Sequence, residues 1–574
     1  MTSRNRAHMP FSKKIFHAVR TFSTTERLLF VFFFALLCIT GFLIVWGLNS
    51  HILTKVPRRG GSLQEAVVGS PRFINPILAL SDADEDLTSL IYSGLLRATP
   101  EGGIINDLSK EYTISPDGLE YTVVIRDDAV FHDGTPVTAS DVEFTVRKAQ
   151  DNSIKSPKRV NWDGVLVQKI DEKTIKFTLK QPYAPFIENL TMGILPQHMW
   201  GSLDSDQFVA SLLNTEPIGS GPYKLKKVKR NSGGLPVYYD LVPFSKYTLG
   251  EPYIEHITLR FYMNEEDALE AYTDGSVDSV HGVPPQQVDS IVRKDTTIMH
   301  APLPRVFGVF FNQNQAPLFT RREVRIALDT AIDRDRIVGE VLSGYGTPID
   351  GPSSNSVAET ASSSEERAQQ ARDILTRNGW KQNPDTGIME KKSGNETVSL
   401  AFSISTGDAP ELKEAAVLIK EAWEKIGADV EIRVFETSDL NQNIIRPRKY
   451  DALLFGEVIG RDSDLYPFWH ASQRNDPGLN IALYANIKAD RLLEEMRAIT
   501  DPALREEKYD AFVDLLKEDM PAVFTYSPDF IYLVPSKVKN LKLGQAISPA
   551  ERFMNVYEWY IETNRVWKIF SSNN

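Results

Sequence analysis

From Leu28 to Leu48 the chain is apolar and carries no charge; ahead of it stand Arg4, Arg6, Lys13, Lys14, Arg20 and Arg27 against Glu26 alone. An α-helix needs about 20 such residues to cross a bilayer. The basic flank predicts a cytoplasmic N-terminus and places everything beyond the run outside the cell membrane, giving a single-pass protein with an extracytoplasmic body. The run is longer than the apolar core of a signal peptide, and Trp46-Gly47-Leu48-Asn49-Ser50-His51 is a poor small-residue cleavage site, so an uncleaved anchor is expected. Cys38 lies inside the run and not at its end, which argues against lipidation there. As the lone cysteine it allows no intrachain disulfide, so the exported part must be stable through its core.

The chain has 574 residues, too many for one core, and two or three domains are expected. A net charge of −12, carried in spite of the basic tail, argues against a nucleic-acid partner, which needs basic patches. Residues 51–62 read as a polar Gly/Pro-containing linker, followed by a short strand at 63–69 and a turn-rich loop at 70–76. Apolar periodicity predicts a helix over 84–97 with Leu87, Leu90, Ile91 and Leu95 on one face. Alternation predicts strands over 120–126, 173–179, 235–242 and 254–262, and Thr138 and Asp141 have capping-box spacing for the next helix. A short helix is expected over 264–274, and beyond residue 305 strands alternate with helices: strands over 306–311, 398–404 and 430–434, helices over 321–341, 365–378 and 411–426, and two further helical segments within 489–518. This is a mixed α/β chain, and to this point nothing assigns it a function.

Four blocks then resemble the extracellular solute-binding proteins of family 5, the dipeptide- and oligopeptide-binding components of ABC importers. They are Tyr121 to Val142 (YTVVIRDDAVFHDGTPVTASDV), Pro217 to Leu225 (PIGSGPYKL), Phe311-Asn312 with Arg322 to Arg334, and Ala371 to Trp380, in the family's order. The resemblance implies a two-lobed periplasmic-binding-protein-like (Venus flytrap) fold that closes over a ligand by hinge bending. It divides the chain into a basic tail (1–27), a transmembrane helix (28–48), a linker (49–59), a discontinuous lobe I (60–92, 215–300 and 525–574), an inserted subdomain of lobe I (93–214) and lobe II (301–524). The hinge falls near Pro302-Leu303-Pro304 and in 522–527.

In peptide-binding relatives an aspartate after an apolar strand holds the ligand's ammonium group. Here the matching position falls on Val458 or Ile459, with Glu457 adjacent. Either Glu457 replaces the clamp or the ligand lacks a free N-terminus. Asp462 and Asp464 match acidic loop residues of the family and either touch ligand or cap the next helix. Trp469 either stacks on ligand or packs under the loop. Asn312 satisfies backbone at the cleft mouth or meets ligand, and Asn75 faces the cleft or simply marks an Asn-Pro turn. His470 would be a metal ligand only in a nickel-binding relative, and Trp380 reads as core.

No enzyme signature is present. Asp82-Ala83-Asp84-Glu85-Asp86 and Asp462-Ser463-Asp464 begin like calcium loops but lack glycine at the sixth position, and Gly219-Ser220-Gly221 lacks nucleophile-elbow spacing. No cofactor, metal site or catalytic residue is expected. The reading that results is a membrane-tethered monomer that captures peptides or similar small solutes and delivers them to an ABC permease. A cell-surface receptor or interaction module on the same fold is the alternative, with a cell-wall hydrolase a distant third.

Overall fold

The computed structural model describes residues 21–358, 363–460, 464–544 and 547–567. The chain separates into two compact units, residues 1–59 with 562–574, and residues 60–561.

In the smaller unit the helix Thr24–Ile52 starts on a capping box: the Ser23 N–H donates to the Glu26 carboxylate at 2.7 Å, and the Glu26 N–H donates back to Ser23 Oγ at 3.4 Å. Its stretch from Thr24 to Ile44 is unburied and is long and apolar enough to span a membrane. The stretch 49–59, expected to be a linker, differs. The helix continues to Ile52, and Leu53–Arg58 is a strand, paired antiparallel with Glu562–Trp567 from Leu53↔Trp567 to Arg58↔Glu562. Its polar composition hid this because the partner lies at the far end of the chain. For the same reason Glu562–Trp567, expected in lobe I, belongs to the smaller unit.

The larger unit is organised by one twelve-stranded sheet. Its spine is the 14-residue strand Ala522–Pro535. The first part of this strand pairs antiparallel with Arg305–Phe311, which in turn pairs antiparallel with Ala452–Val458. Beyond these, Ala401–Gly407 and Asp429–Phe435 run parallel. The last part pairs antiparallel with Thr296–Pro302 and Ser279–His281. Beyond these, Ser62–Val68 and His256–Tyr262 run parallel to Ser279–His281, and Pro236–Pro243 and Tyr223–Arg230 follow antiparallel; the short strand Gly346–Pro348, antiparallel to the spine, is the twelfth. The sheet thus has two halves sharing one strand. Where they meet, the Leu303 N–H donates to Pro528 O at 3.0 Å and the buried Ser527 hydroxyl donates to Leu303 O at 2.9 Å. The two chain crossovers are bonded to each other there.

The inserted segment carries its own antiparallel sheet, Ser109–Ile114, Glu120–Ile125, Thr174–Thr178 and Leu166–Lys169. Tyr121, Val123 and Ile125, with Ile175 and Phe177, point into a core continuous with that of the first half. Alternation was legible in sequence for Glu120–Ile125 and Thr174–Thr178, whereas Ser109–Ile114 and Leu166–Lys169 were not expected. The Thr138–Asp141 capping box forms, with the Thr138 N–H donating to Asp141 Oδ2 at 2.8 Å. Two helices differ from expectation. The helix expected over 84–97 is Asp82–Ile91. It ends at an extended C-cap, Tyr92, whose N–H donates to Thr88 O at 2.9 Å, and the chain then passes close to 190–191, where a Cβ on Gly94 would sit 2.4 Å from Thr191 O. The helix expected over 321–341 is two, Arg322–Ala331 and Arg334–Val341, broken where Asp333 caps the second by accepting from the Arg336 N–H at 3.2 Å.

Candidate ligand-binding site

Strand direction places the site. Ala522–Pro535 runs from the second half of the sheet into the first. Ala452–Val458 runs the same way, being antiparallel to a strand that is itself antiparallel to the spine, so its C-terminal end points toward the first half, as do those of Ala401–Gly407 and Asp429–Phe435. Ser62–Val68, His256–Tyr262 and Ser279–His281 run opposite to the spine and point back. The loops at the carboxyl ends of both sets of parallel strands therefore face one another, the position where open α/β sheets bind ligands. Burial raises the pKa of Glu265, just beyond Tyr262, and so does the charge of Glu411, just beyond Gly407.

Glu457 sits one residue short of the tip of Ala452–Val458, opposite Val306, and is 4% exposed. Strand alternation turns it to the same face as Leu453 and Phe455, the side packed by Trp469, Phe310 and Phe524. Neither carboxyl oxygen has a hydrogen-bond partner among the described residues. Burial alone holds its pKa well above the usual carboxylate range, since an isolated buried charge is expelled by protonation. Val458, at the tip, is 52% exposed, whereas Ile459 is buried.

Asp464 begins the turn into Tyr466–Trp469 and donates nothing; it accepts. Arg497 Nε and Nη2 reach it at 2.9 and 2.6 Å, and the Tyr466 N–H at 3.2 Å. The Tyr183 hydroxyl, from the inserted segment, reaches it at 3.5 Å. The Arg497 guanidinium also lies over the Tyr466 ring at 4.0 Å. Asp462 lies outside the described residues.

Trp469 is fully buried against Phe310, Phe524 and Tyr484, so it packs beneath the loop. Asn312 is spent on backbone: its Nδ2 donates to Arg448 O at 2.8 Å, and its Oδ1 accepts from the N–H groups of Asn314 and Gln315. Asn75 is spent inside the fold, donating to the Asn214 side-chain Oδ1 at 3.0 Å and accepting from the Ile77 backbone N–H at 3.1 Å. Trp380 is buried and donates to Glu323. His470 stacks on Tyr466 with ring centroids 4.1 Å apart and has Glu494 3.4 Å from Nε2. Among the described residues no group of three His, Cys, Asp or Glu is arranged to hold a metal ion.

Sequence reasoning missed Arg497, Tyr183 and the electrostatic coupling of Glu265 to Glu411. None stands in a motif; each acquires its role from a neighbour remote in sequence.

A fold of two half-sheets joined by crossovers, with opposed loops between them, defines a binding protein that holds its ligand between lobes. Comparison with known proteins specifies the family. The bacterial extracellular solute-binding proteins, family 5 (middle region), match residues 103–477, and the chain belongs to this family. It is 26% identical over 516 residues to the oligopeptide-binding protein AppA of Bacillus subtilis, covering 88% of this chain and 92% of that one. The structure of B. subtilis AppA in complex with a nonapeptide matches with a TM-score of 0.63 at 25% identity, over 88% of this chain and all of that one (100%). NikZ from Campylobacter jejuni, in complex with Ni(L-His), matches with a TM-score of 0.65 at 25% identity, over 87% of this chain and 99% of that one. The two-lobed periplasmic-binding-protein-like fold expected from the sequence is the fold of these proteins. Membership places the chain among solute-binding proteins of ABC transporters, a family without enzymatic activity.

Proposed function

We propose that this protein captures peptides between its two lobes outside the cell and hands them to an ABC permease, while the helix Thr24–Ile52 holds it to the membrane with the N-terminus in the cytoplasm. The lobes would be 60–92 with 215–300 and 525–561, carrying the inserted subdomain 93–214, and 301–524. The pair Leu303 and Pro528 would lie at the hinge. The observation that supports this most is the opposition of the two sets of strand ends across a shared spine, in a chain similar over most of its length to a protein solved with a nonapeptide.

A peptide offers main-chain donors and acceptors at every residue, and loop backbone at strand ends can bind these like an added strand with little demand on side-chain identity. The contribution of specific residues is narrower. Glu457 would receive a ligand cation only if the loop above it moved, since it is covered by Trp469's cluster. Asp464 acts through Arg497 on lobe closure. The protein would work as a monomer.

Mass spectrometry of material released by denaturing the full-length protein tests the reading. Short peptides enriched over a control purified the same way are expected. Peptide-free preparations that also fail to compact in small-angle scattering with any peptide pool would contradict it. A receptor role without transport would bind peptide equally but would not need a permease. Uptake of a bound peptide in cells, lost when the chain is deleted, separates the two.

A further inference from the structure

A cavity of about 450 Å³ lies wholly on the first-half side of the larger unit. The helix Asp82–Ile91 forms one wall, the inserted segment at 158–162 and 188–193 another, and residues 547–554 the third. No residue of 301–524 lines it, so it is separate from the space between the lobes. Its volume is that of a small-molecule site, about 300–1,000 Å³.

Its chemistry is one-sided. Arg97 is unavailable to a guest: it donates to the carbonyls of Met554 and Phe553 at 2.7 and 3.1 Å and pairs with the buried Asp107 at 3.6 Å. Of the remaining charges, Glu85, Glu188 and Glu551 face a single Lys158. Burial raises the pKa of Glu85, and Lys158 and the Ser548 hydroxyl offset this only in part. Thr88 and Tyr92 follow Glu85 by three and seven residues and so continue along the same side of the helix. Tyr92 is 3% exposed, and its hydroxyl and that of Thr88 have no partner among the described residues. An unpaired buried hydroxyl is unfavourable, and a guest that bonds it gains by doing so. Apolar surface from Trp162, Leu96, Ile104 and Phe553 completes the lining.

We propose that this cavity is a second binding site, independent of the interlobe cleft, for a small amphipathic amine. Its ammonium group donates to the Glu85 carboxylate and to the hydroxyl oxygens of Thr88 and Tyr92, and its apolar body packs against Trp162 and Phe553. An ammonium has three donors and no acceptor, and the carboxylate and the two hydroxyl oxygens offer an acceptor to each.

Phenethylamine is the probe, titrated calorimetrically into the full-length protein in nanodiscs with and without a saturating peptide pool. Saturable binding is expected, unaffected by peptide. Glu85→Gln should weaken it about tenfold, and Lys158→Gln, which removes the competing cation, should strengthen it. Ala98→Trp, which fills the cavity, should abolish amine binding while peptide binding persists. The opposite signs of the two charge variants separate a site effect from misfolding. No amine binding, equal affinity in wild type and both charge variants, or displacement of the amine by peptide would overturn the proposal.

Discussion

The backbone N–H of Ala184, in the inserted segment, donates to the carbonyl of Arg497, in the second half of the unit, at 2.8 Å. The side chain of the same arginine grips Asp464, and Tyr183 lies under its guanidinium at 5.6 Å. One residue therefore links the inserted subdomain to the loop that follows Ala452–Val458. Both partners of the ion pair are mostly buried, and hydrogen bonds to charged groups in such places contribute about 1.5–3 kcal/mol. Arg497→Gln is expected to weaken peptide affinity about tenfold by destabilising closure, with the unfolding midpoint changed much less. Isothermal titration alongside thermal melts checks this; equal affinity in variant and wild type would remove the contact from the account of closure.

Glu457 gives a pH-dependent test. Its folded pKa is raised by burial, so the unfolded chain loses this proton at lower pH than the native state does. Stability then falls as pH rises above the ordinary glutamate value, by up to about 1.4 kcal/mol per pH unit until the native group ionises. Glu457→Gln keeps the shape and removes the proton. Its stability advantage over wild type in urea titrations should be small at pH 4 and grow with pH. A difference independent of pH would mean the carboxyl is not held neutral in the native protein.

Much of this architecture was legible in the residues. Val306 to Phe311 reads as a buried strand because apolar residues fill both of its faces, and it lies at the centre of the sheet, between Ala452–Val458 and the spine. Ser363 with Glu366 and Gly379 bracket the helix Ser364–Arg377 by capping chemistry that local sequence encodes. What local sequence could not carry was long-range pairing. Leu53–Arg58 looks like a linker until its partner 500 residues on is known. The site was legible as a region and not as contacts: Asp464 stood out as acidic, but nothing in the sequence joins it to Arg497, 33 residues on, or to Tyr183, 281 residues before it. Trp469, Asn312 and Asn75 were ambiguous for a physical reason. Residues that shape a cleft and residues that support it are the same types, and only burial and hydrogen bonding tell them apart.

Glu265 and Glu411 lie just beyond strand ends on opposite sides of the unit, and partial burial together with the charge of Glu411 raises the pKa of Glu265. A group whose pKa is higher when the lobes are together favours that state when protonated. Lowering the pH from 7 to 5 should therefore shift the unliganded protein toward compact forms in small-angle scattering. Glu265→Gln should be compact at both pH values. An identical pH response in the variant would assign the effect elsewhere.

Arg552 is fully buried and binds two carboxylates: Nε donates to Glu65 Oε1, and Nη1 and Nη2 donate to the two oxygens of Asp86, all at 2.7 Å. Burial alone would raise the Asp86 pKa, but Arg552 and His281 outweigh it and bring it to about 2. The cluster ties the C-terminal turn at 549–553 to the strand Ser62–Val68 and the helix Asp82–Ile91. Arg552→Ala strands two buried carboxylates and is expected to cost about 3–5 kcal/mol of stability. The Asp86 contribution is present above the unfolded aspartate pKa and disappears as pH falls through about 2. Denaturant midpoints between pH 2 and 7, for wild type and variant, measure both.

If the halves of one sheet close on a peptide about the crossovers at Leu303 and Pro528, the distance between their opposing strand ends must shorten. Spin labels at Met263 and Val434, exposed positions at or next to opposing strand ends, report it most directly by pulsed dipolar spectroscopy, in a chain whose only native cysteine is replaced by Cys38→Ser. Closure requires a broad distance distribution without ligand that narrows and shortens when a binding peptide is added. A distribution unchanged by a peptide that demonstrably binds would contradict it.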